Sequence, residues 1–154
     1  MDLSSILRPA AVKVVANITS KKRLFQDLGD IVESSYGLDS NTAFAALQAR
    51  ESLGPTGVGH GVALPHARLE GLERVVGAFV RIEKPLDFEA VDRQPVDLVF
   101  ALFAPDGSGV DHLKALALVS RTMRNADIAA KLRANDDPDT LYTILIESQG
   151  TRAA

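Results

Sequence analysis

The stretch "VDLVFALFA", residues 96–104, is apolar at nearly every position and rich in β-branched and aromatic side chains. A strand with one wet face alternates apolar and polar residues. A run without that alternation suits a strand buried on both faces, so other elements must cover it. A helix-like segment follows at once in "GSGVDHLKALALVSRTMRN" (107–125), where Val110, Leu113, Leu116, Ala117 and Met123 form a broad stripe at helical spacing. Upstream, "RVVGAFVRI" (74–82) reads as a second strand. Two helices precede it. One runs from about Ser20 to Tyr36, with Leu24, Phe25, Leu28, Ile31 and Val32 on one face, Ser20 as cap and Gly37 as stop. The other runs from about Asp39 to Leu53, with Phe44 and Leu47 apolar and Gly54-Pro55 ending it. Downstream, Asp127 to about Arg133 and about Pro138 to Glu147 complete the helices, the latter with proline at its first position. Helices before, between and after buried strands predict a layered α/β or α+β domain, its helices covering a central sheet, with residues 1–154 forming one domain.

Composition removes several kinds of chemistry. The chain has no cysteine, which excludes disulfides, thiolate catalysis and cysteine-ligated zinc. Its net charge of −3 gives no general attraction to nucleic acid or to an anionic membrane surface. No apolar run approaches the roughly 20 residues of a bilayer span, and "MDLSSILRPAAVKVV" does not read as a secretory signal, so a cytoplasmic location without membrane insertion is expected. The one basic cluster, Lys21-Lys22-Arg23, reads as a solvated first helical turn.

The candidate chemistry lies in "GPTGVGHGVALPHAR" (54–68), which holds two of the three histidines. It lacks the Gly-Lys-Ser/Thr of a phosphate-binding P-loop, and Val62 stands where a dinucleotide fingerprint needs its third glycine. Its glycines therefore read as backbone permissiveness. His66 follows Pro65, which restricts the backbone on both sides, an arrangement suited either to a reacting group or to a structural histidine bonded to a carbonyl. His60, among glycines, reads as a solvated side chain. His112 falls in a first helical turn; its imidazole is expected to be exposed, and it is either a helix-start surface residue or a donor to an anion. No H-x-x-x-H, H-E-x-x-H or G-x-S-x-G spacing supports a metal hydrolase or a serine hydrolase, and no metal or cofactor is expected.

"RESLGPTGVGHGVALPHAR", then "LDFEAVDRQPVDLVFALFAP", then "DHLKALALVSRTM" resemble the type-2 EIIA domain of the phosphoenolpyruvate-dependent phosphotransferase system, the fructose/mannitol type. The likeness spans nearly the whole chain and is nearest the nitrogen-regulatory (PtsN-type) branch. It implies a central mixed β-sheet flanked by helices. It implies that His66 accepts a phosphoryl group on Nε2 from an HPr-like carrier (NPr), with Arg50 and His112 as donors to the phosphoryl oxygens and Thr56 as a further phosphate-binding hydroxyl. It makes the protein a phosphotransferase component that forms a phosphohistidine rather than a stand-alone metabolic enzyme. The implied partners are that carrier and regulated targets such as a sensor kinase or a potassium transporter, with a homodimer also compatible. The alternative is a sugar-transport EIIA that passes the group to an EIIB partner. His60 departs from the family pattern and inherits no role.

Overall fold

The computed structural model describes residues 1–107 and 109–153, with side chains through Glu147. In chain order, a short 3-10 turn (Leu3–Ser5) leads into β1 (Leu7–Val15), α1 (Lys21–Tyr36), α2 (Ser40–Glu51), β2 (Gly57–Gly59), β3 (Val62–Ala63), β4 (His66–Leu69), β5 (Val76–Leu86), β6 (Val96–Pro105), α3 (Gly109–Arg124), α4 (Ala126–Arg133) and α5 (Pro138–Ala153). The strands form one mixed sheet, in the order β1-β5-β6-β3-β2, with β4 also pairing with β6.

As its nearly continuous apolar run requires, β6 is the centre of the sheet, and every residue from Leu98 to Ala104 is 0% exposed. It pairs antiparallel with β5 on one side, from Val76↔Phe103 to Leu86↔Val96. On the other side it pairs parallel with β3 and then, further along, with β4. The edge strand β1, parallel to β5, has no counterpart in the sequence reading. Pro9 and the alanines after it break the pattern a strand usually shows. An edge strand tolerates such a proline, and the register shifts between Leu7 and Val12. The tyrosine that ends α1 supports this break: the Tyr36 hydroxyl donates to the Gly77 carbonyl at 2.7 Å and accepts from the Arg8 amide at 3.0 Å.

The first helix matches its expected ends. Ser20 accepts from the Arg23 amide at 3.1 Å, and Gly37 closes the helix in the left-handed region with φ 75°. In α2 the cap is Asp39, bonded to the Thr42 amide at 2.9 Å. This helix stops at Glu51, two residues short of the expected Leu53, because the Leu53 and Gly54 amides tighten onto the Arg50 and Glu51 carbonyls, each at 3.1 Å. The packing of α2 on α1 and on β4 carries its C-terminal turn toward His66. The stripe expected on α3 is corrected: Val110 and Leu113 are 66% exposed, and the buried face is His112, Ala115, Leu118, Val119, Thr122 and Met123.

Candidate functional site

His66 is placed by an interruption in pairing. Ala63 pairs with Val99 and His66 with Leu102, which leaves Leu64 and Pro65 between the two short ladders. Pro65 has no N–H to donate, yet its carbonyl still accepts from Leu102 at 2.9 Å, so the chain stays against β6. The Leu64 amide turns aside to the Thr56 carbonyl at 2.9 Å, and its carbonyl receives Nδ1 of His66 at 2.8 Å. A carbonyl oxygen only accepts. Nδ1 therefore carries the proton, and Nε2 keeps the lone pair. Burial lowers the pKa of this imidazole; the Leu64 bond raises it, the positive charge of Arg50 lowers it and Glu51 raises it, with the net direction downward. The ring is thus held in its nucleophilic neutral form.

His112 is buried, only 6% exposed, which corrects the exposed imidazole expected at a helix start. The turn after β6 brings the first turn of α3 back over the sheet, and the His112 ring meets that of His66 edge-on, centroids 5.6 Å apart and planes at 68°. Burial first, then His66 and Arg68, push the His112 pKa down, so it too is held neutral. Its Nε2 is enclosed and has no hydrogen-bond partner among the described residues. A buried polar atom of that kind is costly when left alone and calls for a role.

Arg50, in the last turn of α2, is half-buried and donates from one terminal nitrogen to the Gly54 carbonyl at 3.0 Å. Its charge reaches His66. Thr56 is buried, and its hydroxyl donates to Glu51 Oε1 at 2.6 Å while its amide donates to Glu51 Oε2 at 3.1 Å. The hydroxyl hydrogen is thus committed to a carboxylate in this state. Glu51 also pairs with Lys21 Nζ at 2.9 Å, and Lys21 lies 4.8 Å from the centre of the Phe88 ring. Lys21 is therefore not the solvated cation expected; it ties α1 to the end of α2 and to the glycine-rich stretch.

The opposite end of that stretch is pinned as well. Gly59, His60 and Gly61 all have positive φ, at 101°, 57° and 77°. The His60 amide donates to Asp92 Oδ2 at 2.9 Å, and its carbonyl accepts from Arg133 at 2.8 Å. Arg133 also forks onto Asp97, Nε to Oδ2 and a terminal nitrogen to Oδ1, both at 2.9 Å. A Cβ on Gly61 would fall 2.5 Å from that guanidinium and displace it, and the φ of 77° is itself one that glycine favours. Among the described residues, no group of three or more histidines and acids converges to hold a metal ion.

The family model described as "Phosphoenolpyruvate-dependent sugar phosphotransferase system, EIIA 2" matches residues 5–148. The chain belongs to this family. It is 44% identical to the "Nitrogen regulatory protein" of Bradyrhizobium diazoefficiens over 153 residues, 99% of this chain and 100% of that one. It is 37% identical to the protein of the same name from Klebsiella oxytoca, covering 100% of this chain and 96% of that one. Among solved structures, nitrogen regulatory protein IIA-Ntr from Neisseria meningitidis superposes with a TM-score of 0.86 at 34% identity, covering 93% of this chain and 98% of that one. The mannitol IIA of Escherichia coli shares the fold, with a TM-score of 0.74 at 15% identity and coverage of 90% and 97%. The relatives thus favour the nitrogen-regulatory branch of the EIIA family over its sugar-transport branch.

Within this EIIA fold, the residues expected to act together converge from three elements: Arg50 from α2, His66 from β4 and His112 from α3. Sequence reasoning missed Glu51, Lys21 and Arg68. A signal for Arg68 was present, since residues two apart on a strand share a face and Arg68 is two beyond His66. No local pattern pointed to Glu51 as the partner of Thr56, because that contact depends on the loop folding back onto the helix end.

Proposed function

We propose that this EIIA domain is a phosphoryl carrier with a regulatory output, accepting the group on Nε2 of His66 from a phosphohistidine of an HPr-like protein. The observation that carries this reading is the bond from His66 Nδ1 to the Leu64 carbonyl, which leaves a neutral ring with its lone pair on Nε2. The Nε2 lone pair attacks phosphorus as the bond to the carrier's ring nitrogen breaks, the electron pair returning to that nitrogen. The new imidazolium keeps its Nδ1 proton, shared with Leu64. Little covalent assistance is needed in such a transfer, and positioned donors to the phosphoryl oxygens matter most. Arg50 and His112 take that part. Thr56, occupied by Glu51, would contribute by holding the loop or by rotating its hydroxyl toward the group.

The phosphorylated site gains roughly two negative charges. Binding to regulated targets, such as a sensor kinase or a potassium transporter in the cytoplasm, then changes with that charge. Nitrogen-regulatory names among the relatives support this output over sugar transport. The test is incubation with phosphoenolpyruvate, enzyme I and the HPr-like carrier, followed by assay for an acid-labile phosphoryl group. Label on the wild type but not on His66→Ala is expected. Normal labelling of His66→Ala overturns the assignment, and rapid sugar-dependent discharge to an EIIB overturns the regulatory output.

A further inference from the structure

Arg68 lies on β4 two residues beyond the acceptor, and its register partner on β6 is Ala104, close to where the chain leaves for α3. From there its Nε reaches Nδ1 of His112 at 3.4 Å, a long contact between a β4 side chain and the first turn of α3. Guanidinium nitrogens only donate. An imidazole nitrogen that receives such a bond must be the unprotonated one, and the ring's single proton is then on Nε2. That is the atom left enclosed and unpartnered beside His66.

We infer that Arg68 is a positioning residue that selects the Nε2–H tautomer of His112, so that this ring presents a donor to the phosphoryl group while His66 presents a lone pair. The two imidazoles are set oppositely by their Nδ1 atoms, one bonded to an acceptor, Leu64, and the other to a donor, Arg68. Without Arg68, nothing else in the described structure bonds His112 Nδ1, and free imidazole samples both tautomers. A ring with its proton on Nδ1 would turn a second lone pair toward the phosphoryl oxygens and repel them. The positive charge of Arg68 also helps keep His112 neutral. The inference rests on His66 being the acceptor, but the tautomer itself does not depend on that.

The test uses the full chain with 15N-labelled histidine. Long-range proton–nitrogen spectra should give His112 a proton-bearing Nε2 and a bare Nδ1. In Arg68→Met the two signals should move together toward a tautomer average, and phosphoryl uptake from the charged HPr-like carrier should slow about tenfold, the scale of one charge-assisted hydrogen bond. Arg68→Lys, which keeps a charged donor, should restore part of both. The variant with both Arg68→Met and His112→Ala should be no slower than His112→Ala alone, since Arg68 acts through that ring. An unchanged His112 tautomer in Arg68→Met overturns the inference, as does a double variant whose losses multiply. If His66 takes no label in the wild type, the carrier reading fails, and the spectra still decide the tautomer.

Discussion

His60 and His66 stand six residues apart in one glycine-rich stretch, and the fold holds a different part of each. At His66 the ring is fixed by Leu64 and the main chain by pairing with β6. At His60 the main chain is gripped from both sides, by Asp92 on the amide and Arg133 on the carbonyl, in a left-handed conformation that side chains other than glycine seldom adopt. The side chain is bonded at one position and the backbone at the other. A histidine in a glycine-rich loop is therefore read by asking which of its atoms the rest of the chain has bonded.

The strongest challenge to this contrast is a paired substitution. His66→Ala should lose all acid-labile label, whereas His60→Ala should charge within about twofold of wild type, as a surface change away from the reacting atoms. Comparable loss in both would erase the distinction. Next comes Arg50→Met, expected to slow uptake about 100-fold, the cost of one oxyanion donor. It should also move the acid limb of the rate upward in pH, because Arg50 is one of the causes that lower the His66 pKa below the ordinary 6.5. An acid limb that stays put would mean that Arg50 does not act on His66 through its charge.

Arg133→Met addresses the other end of the stretch. It should cost about 1–2 kcal/mol in urea unfolding, the scale of charge-assisted bonds at a part-exposed site, while leaving the label on His66. Loss of charging without loss of stability would show that the turn contributes to transfer directly. A pH series adds a smaller effect with a definite sign. His66 and His112 both have folded pKa values below 6.5. The unfolded chain takes up protons there first, so stability falls as pH drops from 6.5 toward the folded values and is fully present above 6.5. The smallest change is expected for His60→Asn. Asparagine tolerates the left-handed region, so urea unfolding should shift by less than about 1 kcal/mol, against a loss of about 1–2 kcal/mol for His60→Val.

The legible parts of the molecule are those where local sequence and tertiary packing agree. Ser20 and Gly37 bracket α1 as their chemistry directs, and the apolar run at 96–104 lies buried at the sheet centre. The edge strand β1 escaped because Pro9 obscures it, and its pairing with β5 is supplied by residues about 70 positions away in sequence. On α3 the apolar residues Val110 and Leu113 lie outside while a histidine lies inside. Hydrophobicity alone chose the wrong face, and the correct one includes the histidine that meets His66. The motif singled out Arg50, His66 and His112, and the fold brings the three together. Glu51 was not legible, since its contact with Thr56 depends on the loop folding back onto the helix end, and Arg68 carried only the signal of its two-residue spacing from His66, its contact with His112 being made by the fold.

The pairing of β4 has a consequence for when the site comes into being. The strand that carries His66 pairs with β6, some 36 residues further along the chain, and His112 comes later still. During synthesis, His66 leaves the ribosome well before its supports do. A nascent chain that ends before β6 contains this histidine but no strand to pair with β4, and one that ends before α3 has every strand of the sheet but lacks the second imidazole. In the carrier role proposed above, the site is complete only late in synthesis, and a truncated product that contains His66 but ends before α3 lacks the second imidazole.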